Sequence, residues 1–297
     1  MNGKGREVDI VSAICYTGDE GTGLLGDLYR PPQRGPHPVV VAVHGGGWDQ
    51  GSRDCYREWG IYLAARGFAL FAADRRRFKA DEAVFPQVIE DLQAAVRYLR
   101  SHAPELDVDA RRIALMGDSS GGYLAALTGL LGDQPPGEGV GGEAPAASGA
   151  VRAPSGVVKA PSCAVKAVIA FYGVFDLAAE WNFEQTARPF DRVTEKLMGV
   201  PLIDDRKRYF AASPVAYATR DRNHLAFFLA WGTSDDVVSE DLHSRPFARM
   251  LGQANFAVET TIVPHAQHYW ATDPIRGESG HASAVAPRLL RFLERYL

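Results

Sequence analysis

A serine flanked by small residues is the first candidate for chemistry in this chain. Residues 117–122 read Gly-Asp-Ser-Ser-Gly-Gly, a Gly-x-Ser-x-Gly pattern centred on Ser119. A strand-like apolar run precedes the motif and a helix-like run follows it. In this context the pattern predicts a nucleophile elbow, the tight strand-to-helix turn that presents a serine hydroxyl. Such a turn needs small residues two positions away on each side, because the backbones approach too closely there for a Cβ atom.

A second glycine-rich motif lies upstream and could assist a reaction at the serine. Residues 44–48 read His-Gly-Gly-Gly-Trp and follow the apolar run 39–43. Glycine lets backbone N–H groups reach a developing oxyanion without obstruction by side chains. His44 is expected to be structural and to bond the backbone of this loop. Either motif alone is common, but both in this order, each at the end of a strand-like run, predict a serine hydrolase.

A serine hydroxyl is a weak nucleophile until a base takes its proton, so an acid and a histidine are also expected. With a nucleophile elbow they follow the serine in that order, on loops after later strands. Residues 232–238 follow the strand-like run 226–231 and offer Asp235 or Asp236 as the acid. We favour Asp235, because Val238 then falls three residues later and can anchor the loop.

The base is expected from the loop after the last strand-like run. Residues 264–270 read Pro-His-Ala-Gln-His-Tyr-Trp and offer His265 or His268. We favour His268, because His265 directly follows Pro264 at the strand end, where a turn residue is expected. The histidines outside the two motifs are expected to be surface or packing residues (His37, His102, His224, His243, His281).

Alternating strand-like and helix-like stretches must position these loops. Short continuous apolar runs predict strands buried on both faces of a parallel sheet, while the first two runs predict an antiparallel edge pair. We therefore expect a doubly wound α/β sheet. The strands are predicted over 8–16, 24–29, 39–44, 69–73, 113–117, 165–172, 226–231 and 256–263. The helices are predicted over 57–66, 86–102, 122–131, 240–253 and 283–297.

Two segments interrupt this alternation within what we expect to be one domain over residues 1–297. Residues 132–162 consist mainly of Gly, Pro, Ala, Ser and Val without periodicity, which predicts a poorly ordered surface excursion rather than a lid. Residues 177–217 carry large apolar side chains that need burial. They predict a small cap over the carboxyl end of the sheet, where it would set substrate specificity.

Composition narrows the class of protein. The 297 residues are 46% hydrophobic and 23% charged, as in soluble globular proteins. The net charge of −4 is slight and the charged residues are not clustered, so nothing indicates binding to a nucleic acid. Three widely spaced cysteines argue against a disulfide framework or a metal cluster. The polar residues 1–7 lack the apolar core of a signal peptide, and no apolar run reaches membrane-spanning length. A cytoplasmic location is therefore expected.

Further short patterns match a known family. Beside the two glycine-rich motifs, they are Gly-Thr-Ser-Asp at 232–235, Phe-Pro at 85–86 ahead of the helix-like run 90–99, Asp-Ala-Arg-Arg-Ile at 109–113 and Ala-Ser-Pro at 212–214. Together they resemble the α/β-hydrolase superfamily, and more narrowly its hormone-sensitive-lipase-like esterases and the related carbohydrate and feruloyl esterases. The resemblance spans roughly residues 24–297 without the excursion. It implies a mostly parallel eight-stranded sheet flanked by helices, with a small cap.

The resemblance also implies a role for each candidate residue. Ser119 would be the nucleophile, His268 the general base, and Asp235 the residue that orients and stabilises the imidazolium. The oxyanion hole would be formed by three backbone amides (Gly46, Gly47, Ser120). Substrate contacts are expected from neighbouring side chains (Trp48, Asp118, Arg75, Tyr269).

The sequence departs from the family pattern at two places. After the strand-like run 69–73, relatives carry Asp-Tyr-Arg where this chain has Asp74 followed by three arginines. Such a run is usually a solvated loop with salt bridges; a sharper hypothesis is that one arginine points into the pocket and favours substrates with a carboxylate. The second departure is His265, at a position where glycine is common.

These features predict a carboxylic ester hydrolase that acts on small to medium acyl esters through an acyl-enzyme on Ser119. An amidase of the kynurenine-formamidase type would use the same triad, and a non-catalytic binding member of the fold is disfavoured because all three triad residues are present. No metal or organic cofactor is implied. The expected partner is a small-molecule ester, with no nucleic acid and no membrane. The edge strand 256–263 could pair two subunits, although nothing in the residues requires a homodimer.

Overall fold

One eight-stranded sheet organises the chain. A computed structural model describes residues 7–18, 21–78, 82–137, 161–275 and 280–297. The strand order is β1-β2-β4-β3-β5-β6-β7-β8. β2 pairs antiparallel with β1 and β4, and every other pairing is parallel, so the predicted α/β-hydrolase sheet is confirmed. The strands are Asp9–Cys15, Leu25–Arg30, His37–Val43, Ala69–Ala73, Val108–Asp118, Ala167–Phe171, Ala226–Gly232 and Ala257–Val263 (β1 to β8).

The central strands are apolar because both faces of the sheet are covered. Every residue of β3, β4, β6 and β7 is buried. The register of β3 on β5 sets Val43 beside Gly117. Because these two parallel strands end at the same level, the loop after β3 lies next to the turn after β5. The two glycine-rich motifs of the sequence are therefore neighbours in space.

Helices cover the sheet on both sides. All five predicted helices are present, although the predicted helix 240–253 begins only at Ser244. Sequence periodicity did not reveal the short helix Ala103–Leu106 or the three helices of segment 177–217. In the described residues the α-helices are Arg57–Ala64, Gln87–Ser101, Ala103–Leu106, Ser120–Leu131, Leu177–Ala187, Val193–Met198, Arg206–Ala211, Ser244–Gln253 and His281–Tyr296 (α1 to α9).

Helix α4 is the most enclosed of them, since each of its residues is buried. Its first turn passes so close to β3 that a Cβ atom on Gly121 would overlap the carbonyl oxygen of Val43. A Cβ atom on Gly117 would in turn overlap the carbonyl oxygen of Gly121. The small residues around Ser119 are thus required by backbone contact.

Segment 177–217, which the sequence predicts to be a cap, contains α5, α6, α7 and the 3₁₀ helix Pro214–Tyr217, and only partly buries its aromatic side chains. Tyr209 and Tyr217 are buried, whereas Phe190 is 94% exposed and Phe210 is half-exposed. The expectation that all of these aromatics need burial is wrong for the latter two. The predicted excursion 132–162 lies mostly outside the described residues.

Candidate active site

Ser119 lies on the turn between β5 and α4. Its backbone has φ +53° and ψ −122°, a left-handed conformation that a serine adopts only under strain. The Ser119 N–H donates to the carbonyl of Phe171 on the neighbouring strand β6, at 2.9 Å, which helps to hold the turn. The side chain projects beyond the carboxyl end of the sheet into a cleft of about 610 Å³.

A histidine and an acid contact this serine in series. His268 Nε2 lies 2.9 Å from Ser119 Oγ, and His268 Nδ1 lies 2.7 Å from Asp235 Oδ2. With its proton on Nδ1, the ring donates to Asp235 and leaves Nε2 free to accept from the hydroxyl. The other carboxylate oxygen of Asp235 accepts from the N–H groups of Val237 and Val238, at 3.0 and 2.9 Å. The acid is therefore fixed by its own loop, as the spacing to Val238 predicts.

The alternative residues point elsewhere. Asp236 and His265 are both exposed to solvent. His265 has φ +59°, a conformation that favours glycine, and its N–H donates to Thr233 Oγ1 at 2.9 Å. It thus occupies a turn position, while His268 three residues later turns inward to the serine.

Three backbone amides face the cleft next to Ser119. Gly46 and Gly47 have φ of +98° and +56°, and Ser120 is the first residue of α4. Within the described residues, no carbonyl or side chain accepts from these three N–H groups. The residues all line the cleft together with Ser119. They could therefore donate to a negatively charged oxygen formed at the serine.

The candidate substrate contacts differ in position. Tyr269 is 56% exposed at the cleft and touches the His268 ring edge-on. Trp48 lines the cleft but is buried, and packs edge-on against Tyr123 with ring centroids 5.5 Å apart. Asp118 also lines the cleft, but its buried carboxylate accepts from Tyr56 Oη at 2.8 Å and from the N–H of Gly45 at 3.0 Å. Burial raises the pKa of Asp118 above its ordinary range.

Arg75 is not at the substrate surface. Its side chain is buried and is absent from the cleft lining, because the guanidinium turns under the loop after β3 and donates to backbone carbonyls there. Arg76 instead pairs with Asp91 at 2.7 Å, and Arg77 is exposed. The hypothesis of a pocket-facing arginine in this run is thus wrong, since a buried loop of sharp turns needs donors for its carbonyls.

Charged side chains of segment 177–217 also reach the cleft, in addition to Asp49 and Asp118. Glu180, Glu184 and Arg188 follow one another at four-residue intervals along α5 and its end, and Lys196 lies on α6. Arg188 forms an ion pair with Glu180. Sequence reasoning missed this stripe, although the i, i+4 spacing of charges in an apolar segment is a visible signal.

The buried His243 links helix α5 to the segment that follows β6. His243 Nε2 lies 2.9 Å from Glu180 Oε2, and His243 Nδ1 accepts from the N–H of Phe175 at 3.3 Å.

Glu184 accepts from both the N–H and the hydroxyl of Thr194, at 3.1 and 2.6 Å. Burial, with the nearby charge of Glu180, raises the pKa of Glu184 from 4.5 to about 7.

The raised pKa of Glu184 predicts a stability difference that depends on pH. Between about pH 4.5 and pH 7 the folded protein holds a proton on Glu184 that the unfolded chain has lost. The contribution of protonated Glu184 to the free energy of unfolding is complete below the pKa of the unfolded chain, and it is lost as the pH rises through 7. Glu184→Gln, which stays neutral, should therefore gain about 1–3 kcal/mol over wild type between pH 5 and pH 8.

Thermal unfolding of both proteins at several pH values measures this difference. Glu294→Gln, which removes an exposed carboxylate on α9, is the matched control. A Glu184→Gln stability relative to wild type that does not change with pH would contradict the prediction.

Within the described residues, no group of three or more His, Cys, Asp or Glu side chains could hold a metal ion. No helix in the same residues combines the length and the apolar character needed to cross a membrane.

The chain is similar to known proteins in sequence and in fold. The BD-FAE family model matches residues 26–251. The ethyl acetate hydrolase of Pseudomonas putida is 28% identical over 90% of the chain and 77% of its own length. Esterase LipQ of Mycobacterium tuberculosis is 27% identical over 86% of the chain, which spans only 56% of that protein. A thermophilic esterase of the planctomycete Thermogutta terrifontis, solved with propionate bound, is 25% identical, with a TM-score of 0.71 over 98% of this chain and 94% of that one.

Proposed function

Because the chain belongs to the BD-FAE family and is an α/β-hydrolase esterase, we propose that it hydrolyses small to medium acyl esters through an acyl-enzyme on Ser119. The observation that carries this proposal is the contact series from Asp235 to His268 to Ser119, at 2.7 and 2.9 Å, beside three amides that have no acceptor in the described part of the chain. Each group needed for acyl transfer is thus within reach of one point in the cleft.

In the first half-reaction, His268 Nε2 takes the proton of the Ser119 hydroxyl as its oxygen attacks the ester carbonyl. The resulting oxyanion accepts from the amides of Gly46, Gly47 and Ser120. The imidazolium is stabilised by Asp235 and gives its proton to the departing alcohol. The acyl group is then bonded to Ser119.

The second half-reaction repeats these steps with water. His268 takes a proton from the attacking water, the same amides hold the second oxyanion, and the proton passes to Ser119 Oγ as the carboxylic acid leaves. The chemistry so described draws only on these side chains, the backbone and water.

The names and bound ligands of similar proteins support the proposed preference for short acyl groups. One of them is named an ethyl acetate hydrolase, and the Thermogutta terrifontis esterase was solved with propionate and with butyrate bound. The chain spans between 56% and 77% of the length of this hydrolase and of the esterases LipQ and LipC of Mycobacterium tuberculosis.

The test is hydrolysis of p-nitrophenyl esters from acetate to laurate by the purified protein. We expect kcat/KM to be highest among the shorter esters and to fall towards laurate. Turnover of an aryl formamide such as N-formylkynurenine, without turnover of any ester by the folded protein, would overturn the proposal in favour of a formamidase.

Location and assembly follow as further proposals. The chain has only three cysteines, widely spaced, as is usual for a protein of a reducing compartment, which supports the cytoplasm. We place residues 1–297 in one domain, with 177–217 as its cap. The outer edge of β8 lies at the end of the sheet and is the surface through which two chains would pair.

A further inference from the structure

The buried Arg75 holds the loop that carries two of the oxyanion amides. Its guanidinium donates to Gly45 O and Trp48 O at 3.0 Å, and reaches His44 O and Gln50 O at 3.4 and 3.5 Å. One side chain therefore contacts carbonyls along the whole turn from 44 to 50. Only 3% of the residue is exposed.

The charge of Arg75 is directed at peptide groups. Arg75 has no carboxylate within ion-pair distance among the described residues, whereas the adjacent Arg76 is paired with Asp91. Burial lowers the pKa of Arg75 to about 10, so it is still protonated near neutral pH. Hydrogen bonds from a charged donor are roughly twice as strong as neutral ones. The loop is thus held by a buried cation that forms no direct ion pair among the described residues, while the charge of Asp118 partly offsets the cost of its burial.

One of the contacted carbonyls belongs to the same peptide group as an oxyanion donor. Gly45 O accepts from Arg75 Nη2 at 3.0 Å and from His44 Nδ1 at 2.8 Å. Burial lowers the pKa of His44 to about 4, so this ring is neutral and can donate from Nδ1. The other end of that peptide is the N–H of Gly46. In a trans peptide the two groups point in opposite directions, so donors at the carbonyl polarise the N–H towards the cleft.

The second amide of the loop has a different support. The Gly46–Gly47 peptide presents its carbonyl to the N–H groups of Asp49 and Gln50, at 3.2 and 2.9 Å. These are neutral backbone donors within the same turn. Of the two peptide groups, only the Gly45–Gly46 peptide therefore accepts a hydrogen bond from the charged guanidinium of Arg75.

We propose that Arg75 is a positioning residue for the oxyanion hole, which fixes the loop after β3 and strengthens the Gly46 N–H through the carbonyl of Gly45. The inference rests on the proposed esterase function. It assigns to Arg75 a part in stabilising the transition state without any contact with the substrate.

The test compares Arg75→Met and Arg75→Lys with Arg77→Met, which removes an exposed arginine from the same run. We measure kcat and KM on p-nitrophenyl acetate, and the inhibition constant of an aryl trifluoromethyl ketone, which forms a tetrahedral oxyanion on a reactive serine. Removal of an oxyanion donor costs about 10²–10³ in kcat. Since Arg75 acts through a peptide, we expect Arg75→Met to lower kcat about 10–100-fold.

The changes in kcat, KM and ketone affinity distinguish a positioning role of Arg75 from a general disturbance of the fold. In Arg75→Met, KM should change by less than about threefold, and ketone affinity should fall in parallel with kcat. Arg75→Lys keeps the charge but not the fork, so it should lie between wild type and Arg75→Met, and it decides the matter if Arg75→Met does not fold. Arg77→Met should match wild type.

Three outcomes would overturn the inference. They are an unchanged kcat in Arg75→Met, a loss confined to KM, or a kcat loss without weaker ketone binding. In each of these cases the esterase function stands, because wild type turns over the ester. A folded wild type that neither hydrolyses the ester nor binds the ketone would overturn the proposed function and the inference together.

Discussion

Ser119→Ala is expected to lower kcat on p-nitrophenyl acetate by about 10⁴-fold or more, because no other hydroxyl lies within hydrogen-bonding distance of His268 Nε2 in the described residues. The substitution removes one oxygen atom. The cleft, the amides and the contact between His268 and Asp235 should persist, so the substrate should still bind.

A covalent label separates loss of the nucleophile from loss of the fold. A fluorophosphonate should add once to wild type, at Ser119, and not at all to Ser119→Ala, as measured by intact mass. Ser234→Ala, which removes an exposed hydroxyl beside the acid, is the matched control and should be labelled normally. Labelling of Ser119→Ala at another residue, or a kcat near that of wild type, would show that a different group is the nucleophile.

His268→Ala should reduce kcat by a comparable factor, about 10⁴–10⁶, since residues of one triad act as a unit. Without the imidazole, the proton of Ser119 has no acceptor at 2.9 Å and the departing alcohol has no donor. His265→Ala is the matched comparison in the same loop. Its ring is exposed, so we expect kcat within about threefold of wild type.

Steady-state kinetics of both histidine variants, with circular dichroism to verify folding, check this assignment. A severe loss of activity in His265→Ala together with mild loss in His268→Ala would transfer the role of base to His265. Equal and severe losses would indicate that the whole loop, rather than one ring, is required.

The elements around Ser119 could be predicted from the sequence because their constraints are local. A buried parallel strand must be a continuous apolar run, and the elbow must have glycines where backbones touch, as Gly117 and Gly121 do. The choice of Asp235 also depended on a local constraint, since its carboxylate accepts the N–H of Val238 three residues later. Each of these rules can be applied without knowledge of distant contacts.

The role of Arg75 and the arrangement of the cap could not be predicted in this way. Whether an arginine in a charged run points to solvent or turns inward depends on unsatisfied carbonyls about thirty residues away in the chain. Likewise, the exposure of Phe190 depends on where α5 and α6 meet, and aromatic content alone predicts burial for it. The contact of Glu180 on α5 with His243, which is 63 residues further along the chain, is likewise not visible in the i, i+4 spacing of the charges.

The left-handed backbone conformation of Ser119 lowers the stability of the fold at the residue that catalysis requires. A side chain at this φ costs of order 1–3 kcal/mol, which a glycine would largely avoid. The serine that the chemistry requires is therefore less favourable in this turn than a glycine would be. Selection for thermal stability alone, without selection for activity, would therefore be expected to replace Ser119 with glycine. An engineered Ser119→Gly variant would be more stable but catalytically inactive.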